Sequence, residues 1–402
     1  MALFFPRQSR SERTTVSKLG WSGPNSATDE LAGGSTKQPS VKPEYWRIRN
    51  INRSEHDLAV EWLREQVKGP EILEGEGFSL VADGEQTLCA TLTSFQQPIP
   101  RCRGWHLDKD FIGITPLCDS QDANIDVVAV TGLGGHALGS FRSVQGTSVW
   151  LRDFAARDVP QARFITYGYD TVVAASDSNQ GIHELARTIL DGLVIFRRRT
   201  HTQNRLLCFV GHSLGGVVLK EALIISSKAT DPEHFDLHQI STCTRGLLLM
   251  GVPNLGLRHH QLQTVVQGQP NAGFIRDLLV QADGEPSQFL SYLTQEFARL
   301  CQRRLSRWRI VSYYETISSN TMAAIADEKF AMTGPKEIMV TKTSAERIGH
   351  STRTIDHLPS HTDHRGLVRF EHRQDSRYVS LIEKIMSIAP QAPHALRAPR
   401  QP

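Results

Sequence analysis

The pentapeptide Gly211-His212-Ser213-Leu214-Gly215 stands between an apolar run, Arg205–Val210, and an apolar stretch that opens at Leu214. A serine at such a junction can act as a nucleophile if the chain turns abruptly from strand into helix and leaves its Oγ at the tip. That turn strains the serine backbone and tolerates only small neighbours. Gly211 and Gly215 provide the room. An unassisted hydroxyl is a poor nucleophile near neutral pH, so Ser213 also needs a base to take its proton and a carboxylate to orient that base.

Chains with this turn place the acid and then the histidine after the serine. There are 16 histidines, so position must select among them. His364, in Thr362-Asp363-His364-Arg365-Gly366, follows the last expected strand and precedes a helical segment, where a loop can carry an imidazole over the sheet edge. His357 and His361 are read in the same loop as second choices. Glu315 follows the apolar strand Trp308–Tyr314 and is the expected acid, with Asp327 and Asp363 as competitors. Asp170 precedes the serine and is read as structural. His212 is read as a packed neighbour of the nucleophile whose side chain points away from it.

Acyl attack also creates an oxyanion, and losing one preorganised donor to it costs about 3–4 kcal/mol. The backbone N–H of Leu214 is one expected donor. The other is the N–H of Leu133, in the Gly-rich turn Thr131-Gly132-Leu133-Gly134-Gly135-His136 that follows the strand Ile125–Val130. Gly132 and Gly134 also form the start of a dinucleotide fingerprint, but the third glycine is missing, and that reading is rejected. Gly251–Gly256 ends another strand and is expected to line the pocket.

The elements that must position these groups change character along the chain. Residues 1–42 and 389–402 lack apolar periodicity and are expected to be disordered tails. Residues 43–104 read as a small α+β module in βαββ order: a strand at Tyr45–Ile51, a helix from Ser54 to Val67, and strands at Phe78–Val81 and Thr87–Phe95. From Ile125, strands alternate with helices, at Ile125–Val130, Arg163–Tyr167, Arg205–Val210, Arg245–Gly251, Trp308–Tyr314 and Lys336–Thr341. Near-continuous Val/Ile/Leu runs in that rhythm predict an α/β domain over 105–388, with a mostly parallel sheet covered on both faces. The segment 254–300 is long for one crossover and is read as a helical cap.

Composition narrows the function classes. A net charge of +3 makes no electrostatic case for nucleic acid. Six cysteines without paired spacing read as reduced thiols of an intracellular protein. No apolar window is long enough for a transmembrane helix. Met1–Pro6 is too short for a secretory signal, and the Arg/Ser-rich stretch after it fits a disordered tail better than a mitochondrial presequence. His259-His260 lacks partners at ligand spacing, so no metal and no cofactor are expected. Ordinary core leucines and a solvated tail are expected ahead of peripheral membrane contact through the cap or the basic N-terminus.

Leu133-Gly-Gly-His136, Tyr167-Gly-Tyr-Asp170, Gly211-His-Ser-Leu-Gly-Gly216, Gly251-Val-Pro253, Tyr314-Glu315-Thr316 and Asp363-His364 occur in one order. As a set they resemble the lipase-like putative serine esterases, in particular the fungal relatives of the serine-active-site-containing proteins. The resemblance covers about residues 105–388. It implies an α/β-hydrolase fold, hydrolysis or acyl exchange on a small-molecule or lipid ester, and association with mitochondrial or endoplasmic reticulum membranes. Family members often continue into nucleotide-binding or repeat domains, so this chain is expected to be a stand-alone hydrolase unit. Thr131 and Asn254 stand where the family usually has histidine. These departures keep a second reading open: a hydrolase-fold interaction or signalling module with weak or no catalysis.

Overall fold

The computed structural model describes residues 43–67, 77–173, 176–258, 261–304, 307–321, 323–326, 329–331, 333–348 and 355–389. The expected tails lie outside these residues, except Ala389, which is buried.

The N-terminal part builds one antiparallel sheet from β1 (Glu44–Asn52), β2 (Phe78–Ala82), β3 (Thr87–Ser94) and β4 (His106–Asp108), in the order β2-β3-β1-β4. Helix α1 (His56–Gln66) packs Ala59, Trp62 and Leu63 on it, around Trp46, Ile48, Leu92 and Trp105. Asn52 starts the turn into α1 with a capping box. Its Oδ1 accepts from the Ser54 N–H at 3.0 Å, and its own N–H donates to Glu55 at 3.0 Å. The boundary expected at residue 104 falls too early, because β4 pairs with β1. Three residues, two of them polar, carry no readable alternation.

The large sheet has seven strands: β5 (Gly113–Cys118), β6 (Ile125–Val130), β7 (Ala162–Gly168), β8 (Leu206–His212), β9 (Thr244–Met250), β10 (Arg309–Glu315) and β11 (Ile355–Ser360). Their order is β11-β10-β9-β8-β6-β7-β5. All neighbours are parallel except the edge strand β5, which runs antiparallel to β7 and accommodates Pro116 there. Every residue of β6 and β7 is buried, which is why these strands read as mainly apolar runs, broken in β6 by Asp126 and in β7 by Arg163 and Thr166.

Successive side chains leave a strand on opposite faces. Val128, Phe209 and Leu249 therefore meet α2 (Ile182–Arg199), α3 (Leu214–Lys228) and α6 (Gln288–Arg304) on one side. Val127, Val210 and Leu248 meet the 149–159 segment and α7 (Ser376–Ile388) on the other. The start of β6 is pinned by Asp126. Its carboxylate accepts from Arg163 at 2.8 and 2.9 Å and from Arg197 at 2.9 Å, with all three side chains buried. This sheet, with its β-α crossovers and the strand–serine–helix turn after β8, is an α/β-hydrolase fold.

Two expectations need correction. Lys336–Thr341 is not a sheet strand: Lys336–Glu337 forms a two-residue ladder with Ser319–Asn320, and β11 closes the large sheet instead. The cap is also shorter than 254–300. Helix α6 buries Leu290, Leu293, Phe297 and Leu300 in the main core. Among the described residues of that segment, Leu257, Leu262, Val265, Val266, and Ile275 and Leu279 around α5 (Ala272–Leu278), form a separate apolar cluster with Val173, Val340 and Ala345, joined by Leu133, Phe274 and Tyr314. A helix covering a sheet and a helix capping a site share one periodicity, so spacing alone could not separate them.

Candidate active site

Strand β8 ends at His212 and α3 begins at Leu214, leaving Ser213 alone in the turn. Its φ of 52° and ψ of −124° lie where non-glycine residues rarely sit, at a cost of about 1–3 kcal/mol. Two backbone bonds hold it there: Ser213 N–H to Met250 O at 2.9 Å, and Gly216 N–H to Ser213 O at 3.0 Å. A Cβ on Gly215 would lie 2.4 Å from Val130 O, so the turn can close only over glycine. Across it, a Cβ on Gly132 would lie 2.8 Å from Ser213 Cβ, so the Gly-rich loop passes in direct contact with the serine.

Glu315 is the last residue of β10, not a loop residue, and its side chain is buried. Its Oε1 accepts from the Val340 N–H at 2.8 Å, and Oε2 meets His364 Nδ1 at 3.0 Å. With Nδ1 directed at a carboxylate, Nε2 is the nitrogen left to handle a proton. The His364 backbone is held at both ends: its N–H donates to Ser319 Oγ at 3.2 Å and its carbonyl accepts from His212 Nε2 at 2.9 Å. Gly251, at φ +61°, lets the ring approach, since a Cβ there would meet His364 Cε1 at 3.0 Å. The structure thus brings Glu315 at the end of β10 into contact with His364 in the loop after β11, while Ser213 follows β8, whose last residue His212 bonds to the His364 carbonyl. Among the described residues the Ser213 hydroxyl makes no hydrogen bond, to His364 or any other group. That contact is one that commonly shortens only when substrate binds.

Leu214 opens α3, so its N–H has no acceptor within the helix. Leu133 occupies the turn closed by Gly135 N–H to Gly132 O at 3.1 Å. Leu214 follows Ser213 directly, and Leu133 follows Gly132, which touches the Ser213 side chain. The competitors fare differently. Asp363 Oδ1 accepts from the Gly366 N–H at 2.8 Å, and Asp170 is an exposed loop residue bonded to the Val172 N–H at 3.0 Å. Asp327, like His259 and His260, lies outside the described residues. His357 belongs to β11, not to a loop, and His361 is exposed just after it. Pro359 and the polar composition of that strand obscured it in the sequence.

Thr131 and Asn254 have structural work of their own. Thr131 Oγ1 donates to Ser140 Oγ at 2.7 Å and its carbonyl accepts from Tyr169 at 2.8 Å, which fixes the Gly-rich loop. Asn254 donates to the carbonyls of Ser344 and Ala345 at 2.9 and 3.1 Å and accepts from Lys220 at 2.7 Å. Burial pushes the Lys220 ammonium down to about 8. Burial, with His364 and nearby arginines adding to it, lowers His212 to about 3, so its ring is neutral and donates from Nε2. His212, Ser319 and the Val340 N–H are positioning groups that sequence reasoning missed. The only signal for any of them was the place of His212 beside the serine.

Residues 127–278 match the family model described as putative serine esterase (DUF676). Over these residues the chain is similar to the putative serine esterases. The matched residues run from β6 through Ser213 to α5 and leave out Glu315 and His364. Among curated proteins, the chain is similar to Protein SERAC1 of Mus musculus, 25% identical over 179 residues, covering 38% of this chain and 27% of that protein. Protein SERAC1 of Bos taurus is 27% identical over 157 residues, covering 34% and 23%. The chain thus spans about a quarter of the length of the curated relatives it matches. Similar solved structures include the lin2722 gene product of Listeria innocua (12% identity, 68% of this chain, 96% of that chain, TM-score 0.39). The Paleococcus ferrophilus monoacylglycerol lipase matches with the same identity and coverages at a TM-score of 0.38. The matched region and the fold are those of a hydrolase-like domain.

Proposed function

We propose that this protein hydrolyses carboxylic esters through a covalent acyl-serine. The observation that carries the reading is the buried Glu315–His364 contact of 3.0 Å beside a serine at φ 52°. Ser213 Oγ attacks the ester carbonyl while His364 Nε2 takes its proton. The carbonyl electron pair moves to oxygen and is held by the N–H groups of Leu133 and Leu214. As the oxyanion collapses, the C–O bond to the alcohol breaks and His364 returns the proton to that alcohol. Water then attacks the acyl-enzyme in the same way, with His364 again as base and then acid, releasing the carboxylic acid and free Ser213. Glu315 Oε2, bonded to Nδ1, keeps the imidazole in the productive tautomer.

The apolar cluster of α5 and residues 257–266, which reaches Leu133, Phe274 and Tyr314, favours an apolar acyl chain and hence a lipid ester. Among the described residues no helix is long and apolar enough to cross a membrane. The test is labelling with a fluorophosphonate probe. Wild type should label and a Ser213→Ala variant should not; equal or absent labelling overturns the reading. Esters of graded acyl length then locate the preferred chain.

A further inference from the structure

We propose that His136 is a positioning residue through which the small N-terminal sheet sets the oxyanion loop, and with it the Leu133 N–H, against Ser213. The inference rests on the ester-hydrolase reading above.

His136 Nδ1 receives two backbone donors, the N–H of Leu138 at 3.1 Å and of Gly139 at 2.9 Å. A nitrogen facing two N–H groups must be the bare acceptor, so the proton sits on Nε2. That Nε2–H meets the carbonyl of Lys109, in the segment just after β4, at 3.0 Å. The ring is held between the aromatic rings of Tyr45, on β1, at 5.9 Å and Phe111 at 5.1 Å. Burial lowers the His136 pKa, which keeps this neutral form. One imidazole therefore organises the end of the Gly-rich loop with one nitrogen and grips the N-terminal sheet with the other.

The gripping side is stiff. Asp108 accepts from Arg47 at 3.0 and 3.1 Å and from the Phe111 N–H at 2.9 Å. Phe111 is fully buried at φ 52°, and its carbonyl is so near Gly168 that a Cβ there would meet it at 2.0 Å. The gripped side is equally tied. His136 N–H donates to Ser140 Oγ at 3.0 Å, the oxygen that also receives Thr131. Thr171 Oγ1 donates to Gly135 O at 2.6 Å, and the Gly132–Gly135 turn carries Leu133. A shift of Lys109 is therefore passed through three residues to the oxyanion donor rather than absorbed.

The full chain is compared as wild type, His136→Asn and Tyr45→Leu. Asparagine keeps an acceptor near Leu138 and Gly139 but cannot reach Lys109. Readouts are kcat and KM on p-nitrophenyl butyrate, and inhibition by a trifluoromethyl ketone, whose serine adduct needs the oxyanion hole. His136→Asn should lower kcat about tenfold or more, part of what losing a whole donor costs, and weaken the ketone by a like factor. KM should stay within about twofold, because ground-state binding is untouched. Tyr45→Leu should move both readouts in the same direction by less, and decides the matter alone if His136→Asn does not fold. A folded variant with unchanged kcat, or with kcat lowered and ketone affinity kept, overturns the proposal. A wild-type chain that a fluorophosphonate fails to label removes the hydrolase reading and this inference with it. A labelled wild type with a fully active His136→Asn removes this inference only.

Discussion

His212 Nε2 donates to the backbone carbonyl of His364 at 2.9 Å, joining the residue before the nucleophile to the proposed base 152 positions later. The two rings lie 5.0 Å apart between centroids. This single bond ties the strand end that presents Ser213 to the loop that presents the imidazole. A His212→Phe variant keeps the ring volume and loses the bond. It should lower kcat on the order of 10–100-fold through misplacement of the base. Steady-state rates on a soluble ester, read beside retained far-UV circular dichroism, check this.

Glu315→Gln should be more severe. Its oxygen can still accept from the Val340 N–H, so the amide nitrogen then faces His364 Nδ1 and favours the wrong tautomer. A loss of about 10⁴ in kcat is expected. A loss below about tenfold would assign the orienting role elsewhere.

Gly215→Ala tests the elbow itself. The added carbon would sit 2.4 Å from Val130 O and 2.5 Å from Thr131 O, both backbone atoms that cannot rotate away. Destabilisation of about 1–3 kcal/mol is expected, with most activity lost. Urea titration of the two proteins gives the difference.

Stability should fall on the acid side. His212 is held neutral down to about 3 in the folded chain, while the unfolded chain takes up a proton near 6.5. The unfolded state therefore binds more protons between these values, and stability rises with pH across that window. Between pH 6.5 and 5 this one group should cost about 2 kcal/mol as pH falls. Denaturant midpoints at the two pH values check it, and His212→Phe should flatten the slope.

Asp126→Ala should cost about 3–5 kcal/mol, because it leaves the guanidinium groups of Arg163 and Arg197 buried without their carboxylate. An unchanged thermal midpoint would mean the remaining bonds of Arg163 to Thr202 and of Arg197 to the Gln203 and Arg205 carbonyls suffice.

The parts of this architecture that could be read from residues are those where one physical demand dominates. Strands buried on both faces are mainly apolar, so β6 and β8 stand out despite Asp126 and His212, and a strand that turns into a helix at one serine must be flanked by glycine. Chain order selects Glu315 and His364 as the proposed acid and base. What stayed hidden depends on tertiary context. Strand β4 is a three-residue strand held by its pairing with β1 and by the Asp108–Arg47 ion pair. Strand β11 contains Pro359, and α6 has the same amphipathic spacing a cap would have. The pairing of His212 with His364 and of His136 with Lys109 joins residues whose types carry no sign of each other.

The passage from β4 to β5 has a mechanical consequence. Strand β4 stops at Asp108 and β5 starts at Gly113, so one sheet leads into the other across only Lys109, Asp110, Phe111 and Ile112. Phe111 in that bridge is wholly enclosed, and Arg47 reaches over it to the Ile112 carbonyl at 3.0 Å. A joint this short and this tightly clasped has no freedom to swivel. The two sheets should melt as one body, and scanning calorimetry should record a single heat-absorption peak.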